Sequence, residues 1–265
     1  MRKRAFTLVE LLVVISVIAL LMAILMPALA AARSQGRSAV CKSNLRQLVL
    51  ANSGYATENG GFYVPAASDM WDNCGLCRWH GVREILSEPF NPLKGPLVAY
   101  LADGKVKECP GNVKFVKDQR WDKSFEKGCG GYGYNATYIG SRHWQGGLDY
   151  KQADERTTSM SEVRRPSETL MFADCAMSKN GRDLIEYSFA EPPFTVYNGK
   201  PITSFYMSPS IHFRHRGSAN IGWVDGHIGS RRMADYSGNN AYDVSSTDMQ
   251  LGWFEPIDNT LFDLK

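Results

Sequence analysis

Three groupings in the 265-residue sequence have residue types and spacings that could do chemistry. Cys74-Gly75-Leu76-Cys77, with His80 close behind, has the spacing of half a zinc site or of a redox pair. A structural zinc needs four ligands, and no second pair with this spacing exists, although Cys109 and Cys129 can complete a set in space. His212, His215 and His227 put three of the five histidines within sixteen residues and near Asp225, which makes these four the candidate metal ligands of the C-terminal region. The third grouping is one carboxylate, Glu10, at the mouth of an apolar run. An ionised group costs about 2.5–3.5 kcal/mol if carried to the centre of a membrane helix, so Glu10 wants a partner, unless it lies solvated at headgroup level.

Each grouping also has a plainer reading. A histidine bonded to a turn backbone is commoner than a metal ligand, and no nucleophile motif or paired carboxylates accompany the three histidines. No catalytic residue and no enzymatic activity are expected. No strand-helix-strand pattern surrounds Cys74 and Cys77, which argues against a thioredoxin-like role. Six cysteines, Cys41, Cys74, Cys77, Cys109, Cys129 and Cys175, make an even number, and in an exported chain disulfides are favoured over zinc. Six cysteines allow 15 complete pairings, among which the sequence does not choose. Tyr132, Tyr134, Tyr138, Trp144 and Tyr150 recur in a Gly-rich stretch. Such rings can stack on sugars or on another subunit, and more often pack on a sheet.

The elements that must position these groups begin with Leu11 to Ala32, a run of 22 residues interrupted only by Ser16 and Pro27. About 20 apolar helical residues cross a bilayer, and Arg2, Lys3 and Arg4 before the run belong on the cytoplasmic side. The globular body is then expected outside the cytoplasm. Pro27 kinks a membrane helix more often than it ends one. Cys41, Leu45, Leu48 and Tyr55, at helical spacings, can share one face, so a single helix is expected from about residue 6 to about residue 56, its second half lying along the body. Ala28-Leu29-Ala30 leaves open a secretory signal with small-residue cleavage.

Past Gly61 the chain is punctuated by proline and glycine. Short helical pieces are expected near Pro96 to Ala102 and Gly81 to Leu86. Strand-like runs are Thr169–Ala173, Phe194–Tyr197, Asn220–Val224 and His227–Ser230. Asp225-Gly226 reads as the two-residue turn of a hairpin from Ala219 to Ser230, a structural role that needs no chemistry. The formal charge is +3, from 30 basic and 27 acidic side chains, and removal of Arg2, Lys3 and Arg4 leaves 27 of each. Such a balance gives no electrostatic case for nucleic-acid binding.

Ala5-Phe6-Thr7-Leu8-Val9-Glu10 resembles the prepilin cleavage and methylation motif of type IV pilins and type II secretion pseudopilins. Ala5, a small residue, stands where that family usually has Gly. The resemblance implies cleavage by a prepilin peptidase between Ala5 and Phe6, N-methylation of Phe6, and a role for Glu10 in ordering subunits against a neighbouring α-amine. Arg214-His215-Arg216-Gly217, Asn220 and Asp225-Gly226-His227 resemble the C-terminal H-X9-DG signature of certain prepilin-type proteins. Cys109-Pro110, Gly131-Tyr132-Gly133-Tyr134-Asn135, Arg165-Pro166-Ser167-Glu168-Thr169 and Ala173-Asp174 resemble other recurrent features of the same group. By analogy with pseudopilins that use calcium to fix a loop, Asn239, Asp243 and Asp248 are candidates for that ion, although no EF-hand spacing is present.

The expected fold is α+β and pilin-like: a leader at 1–5, a membrane half-helix at 6–32, an amphipathic half-helix at 33–56, and a loop-rich body at 57–265 with a small antiparallel sheet. The expected function is that of a pilin or pseudopilin subunit, starting in the inner membrane and passing to a filament or the cell surface. Its partners would be prepilin peptidase and other pilin-like subunits. No cofactor is required, a structural calcium or zinc being the exception to test. The alternative is an anchored or secreted module that binds a glycan or small solute.

Overall fold

The computed structural model describes residues 7–70, 75–113, 115–116 and 126–265; Ala5, Phe6 and Cys74 lie outside them. Helix α1 runs from Leu8 to Glu58, 51 residues and so about 77 Å. Its start is set by a capping box: the Thr7 hydroxyl accepts from the Glu10 N–H at 3.3 Å, and the Thr7 N–H donates to Glu10 Oε2 at 2.8 Å. Pro27 lies inside the helix without ending it. At the far end the Asn59 N–H returns to the Tyr55 carbonyl at 2.9 Å, and Gly60-Gly61 redirects the chain.

Among the described residues the short strands that follow are β1 Cys77–Arg78, β2 Gly81–Val82, β3 Tyr132–Tyr134, β4 Leu170–Asp174, β5 Val196–Tyr197, β6 Lys200–Pro201, β7 Ile211–His212, β8 Ser218–Trp223, β9 Ile228–Arg232 and β10 Leu251–Gly252. The main sheet is antiparallel in the order β3-β4-β8-β9, and β1-β2, β5-β6 and β7-β10 form separate pairs. The class is therefore α+β, with the second half of one long helix laid on a small sheet, as in a pilin-like architecture. All five β4 residues and five of the six β8 residues are buried, because α1 covers one face while loops and the smaller pairs close the other. Leu45, Leu48 and Val49 join Phe172, Ile221 and Trp223 in the main core. Gly222 permits the close approach: a Cβ there would stand 2.6 Å from Val49 Cγ2.

The helix-sheet interface is not purely apolar. Asn44 and Asn52 are buried on the inner face of α1 and donate to the hydroxyls of Tyr132 and Tyr134, at 3.2 and 3.0 Å. Asn52 also accepts the Val64 N–H at 2.9 Å. These bonds tie the helix to β3 and to the chain that leaves the helix. They satisfy groups whose burial without partners would cost about 1–3 kcal/mol each.

Several expectations change. The Gly81–Leu86 segment is not a helical turn: Gly81–Val82 pairs with β1, and Val82 exchanges backbone hydrogen bonds with Asn91. The helix expected at Pro96–Ala102 is reduced to two 3₁₀ turns, Pro92–Lys94 and Val98–Tyr100. Tyr132–Tyr134, read as an aromatic Gly-rich stretch, is an edge strand of the main sheet. The β8-β9 hairpin forms, but Asp225-Gly226 is not a two-residue turn. Of the two only Gly226 has positive φ, at 94°, and its N–H closes on the Trp223 carbonyl at 3.0 Å, while the Trp223 N–H bonds to the His227 carbonyl. The loop is thus three residues, Val224 to Gly226, with glycine at the left-handed position.

Candidate functional site

Four side chains from four separate parts of the chain meet beneath α1. Cys41 comes from the helix, Cys109 from the loop before β3, Asp174 from the last position of β4, and His215 from the turn between β7 and β8. One ligand-capable atom from each lies within 4.8 Å of every other. All four residues are buried, His215 the most accessible at 7%. Local structure explains each placement. The inner-face periodicity of α1 carries Cys41 in line with Leu45 and Leu48. Cys109 is held by its N–H on the Gly130 carbonyl at 2.9 Å, and its sulfur accepts the Gly111 N–H at 3.4 Å. His215 sits in a tight turn in which it and Ser218 exchange backbone hydrogen bonds.

The carboxylate of Asp174 organises the cluster. It accepts the Asn220 N–H at 2.8 Å and the Cys41 thiol at 3.1 Å, and His215 Nε2 stands 3.3 Å away. The same His215 nitrogen is 3.5 Å from Cys109 Sγ. Arg214, behind the carboxylate with Nε at 3.8 Å, spends its Nη2 on the carbonyls of Gly131 and Cys175 and its Nη1 on Asn112. Burial works to raise the Asp174 carboxyl, but the Arg214 charge and the His215 contact outweigh it and hold the group below its usual range. Burial pushes the Cys41 thiol well up. Hydrogen bonds from Cys41 and His215 win over burial at Cys109 and bring it down to about 5. Burial lowers and the Asp174 and Cys109 contacts raise His215, which settles at about 9. The result is an enclosed set of two sulfurs, one imidazole nitrogen and one carboxylate, suited to holding an ion or to thiol chemistry and closed to a bulky substrate.

The sequence candidates distribute differently from expectation. Of His212, His215, His227 and Asp225, only His215 reaches the cluster, so that set does not form a metal site. His212 is on β7, its ring 5.8 Å from Phe115. His227 and Asp225 bond to each other at 2.6 Å on the exposed hairpin, with His227 stacked on Trp223. Cys41, Cys109, Cys129 and Cys175 are free thiols in the structure. Cys129 faces Glu186 at 3.6 Å, and Cys175 is sealed in the core beside β4. Cys77 lies on β1 with its N–H on the Asp69 carboxylate, and Cys109 is committed elsewhere, so the expected completion of the Cys74-Cys77 pair by Cys109 is not seen. Asn239 turns its amide NH₂ toward Asp243 at 2.5 Å, so it does not present its carbonyl there for a cation.

In the sequence Cys41 was visible as an inner-face helix position and a disulfide candidate, and Cys109 as a disulfide candidate, a possible zinc ligand beside Cys74 and Cys77, and part of Cys109-Pro110. Asp174 and Arg214 were visible only inside the short stretches Ala173-Asp174 and Arg214-His215. No spacing rule links positions this far apart, although those stretches adjoin strand ends that the hydrophobic pattern does reveal.

Among the aromatics, Tyr132, Tyr134 and Tyr138 are buried. Tyr150 is exposed and faces Tyr197 at 6.3 Å, across a cleft of about 370 Å³ that His143 and Asn198 also line. At the other end of the molecule, every Leu, Ile, Val and Met from Leu8 to Leu29 is exposed. Among the described residues, α1 alone is long and apolar enough to cross a membrane. The Glu10 carboxylate bonds to the N–H and hydroxyl of Thr7, so it serves its own helix cap.

No curated protein matches the chain, and no solved structure matches it. Residues 1–26 match the family described as the prokaryotic N-terminal methylation motif, so the N-terminus is similar to that motif.

Proposed function

We propose that the chain is a pilin-like subunit, cut between Ala5 and Phe6, methylated on Phe6, anchored through α1 and assembled into a filament of the type IV pilus or type II secretion kind. The observation that supports this most is the unpartnered apolar face of α1. Residues Leu8 to Leu29 expose large apolar groups around the whole circumference, which neither a soluble monomer nor a one-sided amphipathic helix would do. A bilayer covers such a surface before assembly, and the equivalent helices of neighbouring subunits would cover it afterwards. Arg2, Lys3 and Arg4 orient the span with the body outside the cytoplasm. Glu10, near the start of the helix, would exchange its Thr7 contacts for the methylated amine of an adjacent Phe6.

The test is mass-spectrometric sequencing of the N-terminus of the protein recovered from its host, paired with crosslinking from cysteines placed at Leu12 and Leu21. A methylated Phe6 start and chain-to-chain crosslinks are expected. A start at Ala31, following the small-residue site, would overturn the reading.

A second reading rests on the Tyr150–Tyr197 cleft, which has the size and exposed aromatic walls of a small glycan or solute site. It would be favoured if a sugar panel shifted the resonances or the melting temperature of the chain and Tyr150→Ala abolished the shift.

A further inference from the structure

We propose that Cys41, Cys109, Asp174 and His215 bind one zinc ion, which staples the extramembrane half of α1 to the sheet and to the loops on either side. The geometry is that of four donors around a common centre. Tetrahedral zinc with bonds of about 2.0–2.3 Å places its ligand atoms roughly 3.3–3.8 Å from one another. Three of the six separations are 3.1 Å from Cys41 Sγ to Asp174 Oδ1, 3.3 Å from His215 Nε2 to the other oxygen, Asp174 Oδ2, and 3.5 Å from that nitrogen to Cys109 Sγ; these fall in or near that window, and one donor atom from each residue lies within 4.8 Å of every other. Two thiolates with an imidazole and a carboxylate select a borderline-soft ion over magnesium or calcium, which take oxygen ligands. Four protein ligands in a buried setting make a closed, structural site with no open position for a reacting water.

The surroundings fit the same reading. The Gly111 N–H on Cys109 Sγ and the Asn220 N–H on Asp174 are outer bonds of the kind that orient metal ligands. Charge also closes. Two thiolates and one carboxylate carry three negative charges, Arg214 beside Asp174 returns one positive charge, and a dication neutralises the remainder. Binding displaces two protons to solvent, one from Cys41 and one shared by Cys109 and His215, and forms four coordinate bonds without redox change. The ligands come from positions separated by 133, 106 and 41 residues along contacting pairs, so the ion would close long loops in addition to the core packing and hydrogen bonds that join them.

The experiment uses the full chain in detergent, purified without chelator, with metal content by elemental mass spectrometry and free thiols counted on the denatured protein. About one zinc per chain is expected, together with thiol-to-cobalt charge-transfer bands and tetrahedral d–d bands when cobalt(II) replaces it. Cys109→Ser and His215→Gln should lose the metal while His227→Gln keeps it. Chelation should lower the melting temperature of the wild-type chain and leave that of Cys109→Ser unchanged. Should the Cys109 and His215 variants fail to fold, the cobalt spectrum and thiol count of the wild-type chain decide alone. A chain two hydrogens lighter than the reduced form, with a Cys41–Cys109 peptide crosslink, would overturn the proposal in favour of a disulfide. So would a fully reduced chain that takes up neither zinc nor cobalt, or one saturated with copper or iron in place of zinc.

Discussion

The two halves of α1 are one continuous helix with opposite surroundings. From Leu8 to Leu29 its large apolar side chains are all exposed, and its polar side-chain bonds, the Thr7–Glu10 cap and Ser16 to the Val13 carbonyl, stay within the helix. From Cys41 to Ala56 the inner positions are buried, and Asn44, Asn52 and Cys41 each bond to a group of the body. Helical periodicity is the same in both. What differs is the packing: in the first half no part of the described body covers the apolar side chains, whereas the second half packs on this chain's own sheet.

The sharpest way to break the comparison is a matched pair of truncations. Leu45→Ala, at a fully buried position, should cost about 2–5 kcal/mol in denaturant unfolding of the detergent-solubilised chain. Leu21→Ala, more than half exposed, should leave that unfolding unchanged within about 0.5 kcal/mol and should instead weaken membrane retention or subunit crosslinking. Equal losses at both positions would mean that the first half also packs on the body. Next in size is Gly222→Val, which overpacks the place where Val49 crosses β8 and should cost about 1–3 kcal/mol by the same measurement.

A comparable or smaller loss, about 1–3 kcal/mol, is expected for Asn52→Ala, since the Val64 N–H then has no acceptor. Amide exchange should quicken at Val64 and remain unchanged at Leu12. The pH dependence gives a further contrast. Glu126 is buried between Arg78, His80 and Ser188; burial works to raise it, and the His80 and Arg78 contacts overcome this and lower it. A carboxyl lowered on folding contributes stability above its unfolded value near 4.5, and loses that contribution as pH falls through the lower folded value. The wild-type body should therefore lose stability below about pH 4.5, and Glu126→Gln should flatten that limb in a melting series. The smallest effect is at Thr7→Ala: faster exchange in the first helical turn, with no change in body melting.

Much of the fold was legible because its signals are local. The apolar run and the inner-face positions Cys41, Leu45 and Leu48 announce the helix from a few turns of sequence, whereas the Thr7–Glu10 cap emerged from the structure. Thr169–Ala173 and Asn220–Val224 fall within a residue or two of β4 and β8. Tyr132–Tyr134 escaped notice because Gly133 interrupts the apolar pattern. Its strand character comes from pairing with β4 and from the two asparagines of α1. Gly81–Val82 misled for a related reason, since its hydrogen bonds run to Arg78 and Asn91 and not along the segment itself.

The candidate site was legible only as ingredients. Nothing in the spacing of Cys41, Cys109, Asp174 and His215 distinguishes them from Cys129, Cys175, His212 and His227. The sequence by itself determined the N-terminal methylation motif, the membrane-length helix and the presence of the β8-β9 hairpin, because a short motif, a helical period and a glycine-containing turn are properties of neighbouring residues. The tertiary structure alone decided which thiols meet, which histidine joins them and which carboxylate they surround. Those choices follow from the crossing of α1 over β4 and β8, where long-range packing brings donors together that no local rule connects.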